Sequence, residues 1–425
     1  MNPSAPIPLR ARCAEGLLAR VRAVRAATER LAAPLSPEDC AAQSMPDASP
    51  VKWHLAHTSW FFETFVLEAA RAGRPFDPAY RALFNSYYNA VGEPFARPQR
   101  GLLTRPDLET VRAYRAHVDG HLIALLERGI EAELADMVEL GLQHEQQHQE
   151  LILTDAKHLL AANPLRPAYR GDLVAPVAAD APPLRWQRHE AGIRSIGARP
   201  PGFHFDNEGP RHRVWLEGFE LASRPATARE FLGFIADGGY RRPALWLAEG
   251  FDVARSLGWQ APAYWERRDS AWLAFTLAGL RPLDLDAPVC HLSYYEADAF
   301  ARWSGARLPS EVEWEVAAAD APVVGNFVES DRLQPAAGDA GGAGPLQLFG
   351  DVWEWTSSAY GAYPGYRPPA GALGEYNGKF MCSQIVLRGG SCLTPADHVR
   401  ASYRNFFPPA ARWQMSGVRL ARDSR

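Results

Sequence analysis

Apolar residues recur at three- and four-residue intervals through four segments in the first 160 or so positions, and this period predicts amphipathic helices. The first covers residues 9–33, with Leu17, Leu18, Val21, Val24 and Leu31 on one face. A second opens at Ser49 and Pro50 and runs through the aromatic cluster Trp60, Phe61, Phe62 and Phe65, with proline near the first helical position. A third is expected over residues 107–128, after a T-R-P-D start. The fourth spans residues 134–160, where Leu134, Val138, Leu142, Leu151, Ile152 and Leu159 keep the helical register. Four such segments predict a four-helix bundle.

The pattern then breaks. Residues 161–188 are dominated by proline, alanine and aspartate, as in a connection between domains. Beyond about residue 190 the chain turns to short apolar runs among glycine, tryptophan and arginine, with helices expected only over residues 227–235, 294–304 and 310–319. The resulting division is a bundle over residues 1–165, a linker over 166–189 and a loop-rich domain over 190–425. The glycine-rich run 338–344 precedes no lysine of a phosphate-binding loop, so it reads as a plain loop.

The fourth helix carries H-E-Q-Q-H, with His144 and His148 four residues apart. That spacing puts both imidazoles on one helix face, a common beginning of a divalent-metal site. Glu150 is placed to orient a ligand from outside. The letters also match the H-E-x-x-H run of zinc proteases, in which Glu145 would be the general base. A third ligand is expected from the second helix, where His57 is flanked by apolar residues and His54 is the runner-up. Between the second and third helices lies a stretch broken by glycine and proline, with Tyr87, Tyr88, Arg97, Arg100 and Arg105. It reads either as a solvated connection or as a lid with a phenol donor and a guanidinium clamp for a carboxylate.

Composition narrows the class. A chain of 425 residues, 47% hydrophobic and 22% charged, is expected to fold as two or three globular domains with full cores. The net charge of −4 argues against a general nucleic-acid partner. Five cysteines with no C-x-x-C pair do not make a disulfide framework. No apolar leader or membrane-length run is evident, so a cytoplasmic location with no membrane partner is expected.

Taken together, the motifs have a familiar layout. G-P-R-H-R-V from Gly209, P-V-C-H-L-S-Y-Y-E-A from Pro288, R-L-P-S-E-V-E-W-E from Arg307, G-D-V-W-E-W-T-S-S from Gly350, L-R-G-G-S from Leu387 and G-V-R-L-A from Gly417 resemble the formylglycine-generating-enzyme, or sulfatase-modifying-factor, domain. L-A-H ending at His57 and H-x-x-x-H-x-E from His144 resemble the DinB-like bundle. That order resembles the ergothioneine-type hercynine sulfoxide synthases and the closely similar selenoneine synthases. The implied fold is α+β, a DinB-like four-helix bundle followed by a C-type-lectin-like sulfatase-modifying-factor domain.

The resemblance implies a mononuclear non-haem Fe(II) held by His57, His144 and His148, with O2 as co-substrate. It also implies a proton-donating tyrosine, for which Tyr87 and Tyr88 are the candidates. Hercynine is the implied acceptor, and a small thiol or selenosugar the donor. Arg97 and Arg100 resemble the branch that takes free cysteine. Gln147 is placed to bond the substrate imidazole, while Asn405, Phe406 and Phe407 match the stretch that binds the trimethylammonium group, which suits an aromatic cage. The formylglycine-generating oxidases hold copper with two cysteines after R-G-G-S; here Cys392 stands there without a second nearby. That domain is therefore expected to serve as half of a substrate cleft rather than as an oxidase. A zinc hydrolase using Glu145 and a non-catalytic ligand-binding protein remain as alternatives.

Overall fold

Four long helices carry the first part of the chain in the computed structural model, which describes residues 9–176, 179–338 and 345–424. They are α1 (Leu9–Ala32), α2 (Val51–Phe62), α3 (Leu108–Glu127) and α4 (Ala132–Ala162). Of the expected face of α1, Val21 and Val24 are buried and Leu17, Leu18 and Leu31 half-buried, while α3 buries Leu108, Val111, Val118 and Leu122. Asp107 caps α3 by accepting the Thr110 amide at 2.9 Å, which satisfies one of the first-turn donors left over in any helix.

Helix α2 differs from its neighbours because all of its residues are buried. A helix without a polar face belongs at the centre of a structure rather than on its surface. It continues as a π-helical turn over Glu63–Leu67, a form often found beside functional sites. On α4, Gly141 lets the helices approach closely, since a Cβ there would lie 2.5 Å from the Phe62 ring.

The stretch between α2 and α3 is exposed over much of residues 89–105 but is anchored at four points. Phe84, Asn85, Tyr88 and Arg100 are buried. The Asn85 side chain donates to the carbonyls of Tyr88 and Gly92, both at 2.9 Å, and accepts the Tyr88 amide at 3.0 Å. Polar side chains can be buried when they supply the loop with its missing hydrogen bonds.

The chain divides into two compact units, Met1–Ala162 with Ala370–Glu375, and Asn163–Pro369 with Tyr376–Arg425. In the second unit a four-stranded sheet has the order Asn405–Phe407, Ile385–Arg388, Trp353–Ala359, Ser416–Gly417, with the last pair parallel. Its described helices include α5 (Ala228–Ala236), α6 (Ala248–Ser256), α7 (Tyr294–Trp303) and α8 (Glu311–Ala318). Thr227 with Glu230, Ser293 with Glu296 and Ser310 with Glu313 close reciprocal caps at the starts of α5, α7 and α8. The glycine-rich run expected as a loop lies outside the described residues apart from Gly338.

Several motif residues of this unit are internal ion pairs. Arg419 meets Glu354 at 2.7 Å with both side chains fully buried, and Glu354 also accepts the Trp314 indole at 2.7 Å. Glu311 lies 2.9 Å from Arg388 and 2.8 Å from Arg404. The R-G-G-S, W-E-W and G-V-R-L-A signatures therefore mark interior pairing, in which removal of either partner leaves an uncompensated buried charge. Cys40, Cys290, Cys382 and Cys392 form no disulfide. No helix among the described residues is long and apolar enough to cross a membrane.

Candidate metal centre

Helices α2 and α4 bring three imidazoles together in the bundle. The possible ligand atoms of His57, His144 and His148 all lie within 4.8 Å of one another, and the three residues are buried. His57 Nε2 stands 3.2 Å from His144 Nε2. Nitrogens at that separation have the spacing of two ligands at right angles on one ion with bonds of about 2.1 Å.

The protonation pattern suits metal binding. Burial lowers the pKa of His57 well below its ordinary value, assisted by His144 and opposed by the Phe84 carbonyl. Burial likewise brings His144 down to about 3 despite the nearby Glu145, and holds His148 well below its usual range. Neutral imidazoles carry the lone pairs that a cation needs. His57 Nδ1–H donates to the Phe84 carbonyl oxygen at 2.7 Å, which leaves Nε2 with its lone pair and fixes the ring. The donor set is thus all-nitrogen, neutral and rigid, and it fits a divalent transition metal.

The surroundings are aromatic. Trp53 stacks on His57 with centroids 4.5 Å apart, and Trp60 lies near-parallel to the same ring at 5.4 Å. Tyr88 is 5.5 Å from Trp60, and Tyr87 stacks on Tyr88 at 4.6 Å. Tyr88 is fully buried while Tyr87 is half-buried. The Arg100 guanidinium sits 3.3 Å above the Trp53 ring and donates to Ser49 Oγ at 2.9 Å and Ser86 Oγ at 3.2 Å. A guanidinium stays charged even when buried. Burial, with Arg97 nearby, pushes its pKa down to about 8, and the charge of Asp155 opposes the fall. Arg97 is exposed, and Gln147 is half-buried between the two helix histidines.

Glu145 is turned away from metal chemistry. Its carboxylate is fully buried, 2.9 Å from Arg25 and 3.0 Å from Arg115, and accepts the Thr28 hydroxyl at 2.6 Å. Burial alone would raise its pKa, but the two guanidiniums and the hydroxyl outweigh it and bring the carboxyl down to about 2. A general base must be free to take a proton, and both oxygens here are engaged. The zinc-hydrolase alternative therefore loses its base.

Sequence reasoning passed over the groups that fix the cluster: Trp53, Trp60, the Phe84 carbonyl, and Asp155, which accepts the Ser49 amide at 2.8 Å and contacts His54 at 3.1 Å. One signal was available for Asp155. It follows His148 by seven residues, two helical turns and hence the same face. Glu150, the expected outer carboxylate, is half-buried.

In the second unit, Asn405, Phe406 and Phe407 form one edge strand of the four-stranded sheet. Adjacent strand residues face opposite sides. Phe406 stacks on Tyr360 with centroids 4.0 Å apart, whereas Phe407 meets Trp413 edge-on at 5.5 Å. The two phenylalanines are thus brought to different aromatic neighbours, and Asn405 shares the Phe407 side.

Family comparisons agree with the two-unit layout. The model of the DinB superfamily matches residues 20–152, and that of the sulfatase-modifying factor enzyme 1-like domain matches residues 188–345 and 339–424. The chain is similar to the hercynine oxygenase of Mycobacterium tuberculosis, with 32% identity over 437 residues covering 96% of this chain and 99% of that protein. The hercynine oxygenase of Mycolicibacterium thermoresistibile is 31% identical, with 89% and 88% covered. The formylglycine-generating enzyme of Mus musculus is 26% identical over 55% of this chain and 73% of its own length.

Proposed function

Since the chain belongs to the hercynine oxygenase family, we propose that it is an iron- and O2-dependent enzyme joining a small thiol or selenosugar donor to C2 of the hercynine imidazole. The buried cluster of His57, His144 and His148 carries this reading, because three neutral nitrogens leave part of a coordination sphere for reactants. Bound there, Fe(II) would supply redox chemistry with O2.

The remaining roles belong to the chain. Arg100, a buried cation that hydrogen-bonds only the hydroxyls of Ser49 and Ser86 among the described residues, supports a donor bearing a carboxylate, which favours cysteine over a neutral sugar. Arg97 contributes charge from the exposed side. Gln147 orients the substrate imidazole by hydrogen bonding. Tyr88 or Tyr87 delivers a proton from its phenol oxygen as the new bond forms. Asn405 and Phe407, which share one face of their strand, recognise the trimethylammonium group, and Phe406 packs on Tyr360 on the other face.

Two variants probe these roles. Tyr88→Phe and Tyr87→Phe each remove only a hydroxyl, so iron stoichiometry and hercynine binding are expected to stay near wild type. In one of them O2 should be diverted from coupling to oxidation of the donor, seen as a changed ratio of coupled product to oxidised thiol. Equal ratios in wild type and both variants would remove the tyrosines from the proton path. Phe407→Ala is expected to raise the hercynine dissociation constant about thirtyfold, since a desolvated cation–π contact contributes ~2 kcal/mol. Histidine, which has no methyl groups, should lose far less affinity. Undiminished hercynine binding in calorimetry would exclude Phe407 from cation recognition.

The activity is tested by offering hercynine with cysteine, γ-glutamylcysteine and a selenosugar in competition under O2 and weighing the products. A hercynine adduct carrying sulfur from cysteine is expected. A dominant selenium adduct would transfer the donor assignment, and hercynine recovered unchanged from iron-loaded protein would overturn the reading.

A further inference from the structure

His148 is tied to a second histidine through its Nδ1. Its Nδ1 lies 2.7 Å from His54 Nδ1, and His54 Nε2 lies 3.1 Å from Asp155 Oδ2. All three side chains are buried. Two ring nitrogens at that separation cannot both carry a proton, and a carboxylate accepts only. Asp155 therefore takes the His54 Nε2 hydrogen. That leaves the His54 Nδ1 lone pair to accept the His148 Nδ1–H, and His148 keeps its Nε2 lone pair for a metal.

Asp155 is itself held by the Ser49 amide at 2.8 Å. Ser49 precedes α2, the helix that carries both His54 and His57. A carboxylate on α4 is thus joined to α2 through backbone and through imidazole, and the line ends on a ligand candidate of α4. His57 has a different arrangement, because its Nδ1 donates to a neutral backbone carbonyl. These two rings are consequently unequal: His57 is backed by a peptide dipole and His148 by a carboxylate acting through an imidazole.

Resting on the reading of His57, His144 and His148 as metal ligands, we infer that His54 and Asp155 are positioning residues which set the tautomer of His148 and make it more electron-donating than His57. His54 is not a ligand, although its place one helical turn before His57 offers it as one. Outer partners of this kind change metal affinity about 10–100-fold when removed.

The test uses Co(II), titrated anaerobically into the full chain against a competing chelator, with the visible absorption bands recorded. Asp155→Asn and His54→Asn are compared with wild type and with the double variant. The expected result is an affinity loss of about 10–100-fold in each single variant with shifted absorption bands. Because Asp155 acts through His54, the double variant should be no weaker than His54→Asn alone. Urea midpoints of the metal-free proteins separate this from a loss of fold, and if one single variant does not fold, affinity and bands in the other decide. Unchanged affinity and spectrum, or additive losses in the double variant, would overturn the inference. So would a His54→Asn protein that binds no cobalt, since His54 would then be a ligand. Wild-type protein that binds no cobalt would instead sink the metal reading itself, and the relay with it.

Discussion

His148→Ala is expected to leave the protein folded, free of iron and inactive. The substitution removes one of three nitrogens and with it the ring that His54 orients. Two imidazoles from different helices hold Fe(II) far less tightly than three, and iron sits low in the affinity order of divalent metals at such sites. The fold should persist because the bundle does not depend on this ring for its core. Val138, Leu142, Ile152 and Leu153 keep α4 buried against its neighbours. Metal analysis after anaerobic loading and desalting, alongside circular dichroism, checks both halves of the expectation. Stoichiometric iron in the variant would remove His148 from the ligand set.

Glu145→Ala is expected to cost about 3–5 kcal/mol of unfolding free energy, because it leaves two buried guanidiniums without their shared carboxylate. Arg25 is 4% and Arg115 2% exposed, so neither can recover solvation by a small movement. Arg25 retains Asp119 and Arg115 retains Glu29, which keeps the loss from exceeding that range. Glu145→Gln should also destabilise, since the amide keeps an acceptor but not the charge. Urea unfolding measures the change. A Glu145→Gln protein as stable as wild type but catalytically dead would point back to Glu145 as a base.

The bundle helices were legible because each has an apolar face with a helical period. In the second unit α5, α7 and α8 announce themselves through Thr227, Ser293 and Ser310, each followed three residues later by glutamate. Helix α6 was missed, and it is the one of these four that begins without a side-chain cap, at Leu247. Spacing placed His144 and His148 on one face, and the structure adds His57 to them. The environment was harder to read. Arg100 and Asp155 are buried by partners distant in sequence and Asn85 by bonds within its own loop, and a polar–apolar pattern assigns such residues to the surface. Glu145 shows the converse. Its place inside a metal-like motif suggested chemistry, whereas Arg25 and Arg115, 120 and 30 residues before it, make it structural.

Hercynine-dependent oxygen consumption tests the central claim most directly. The protein is loaded with one equivalent of Fe(II) without air, supplied with cysteine, and followed with an oxygen electrode before and after hercynine is added. The expected result is slow uptake that rises sharply on addition of hercynine, together with no uptake by protein loaded with Zn(II). Oxygen uptake that ignores hercynine, or equal behaviour of the iron and zinc forms, would contradict an iron centre dedicated to this substrate.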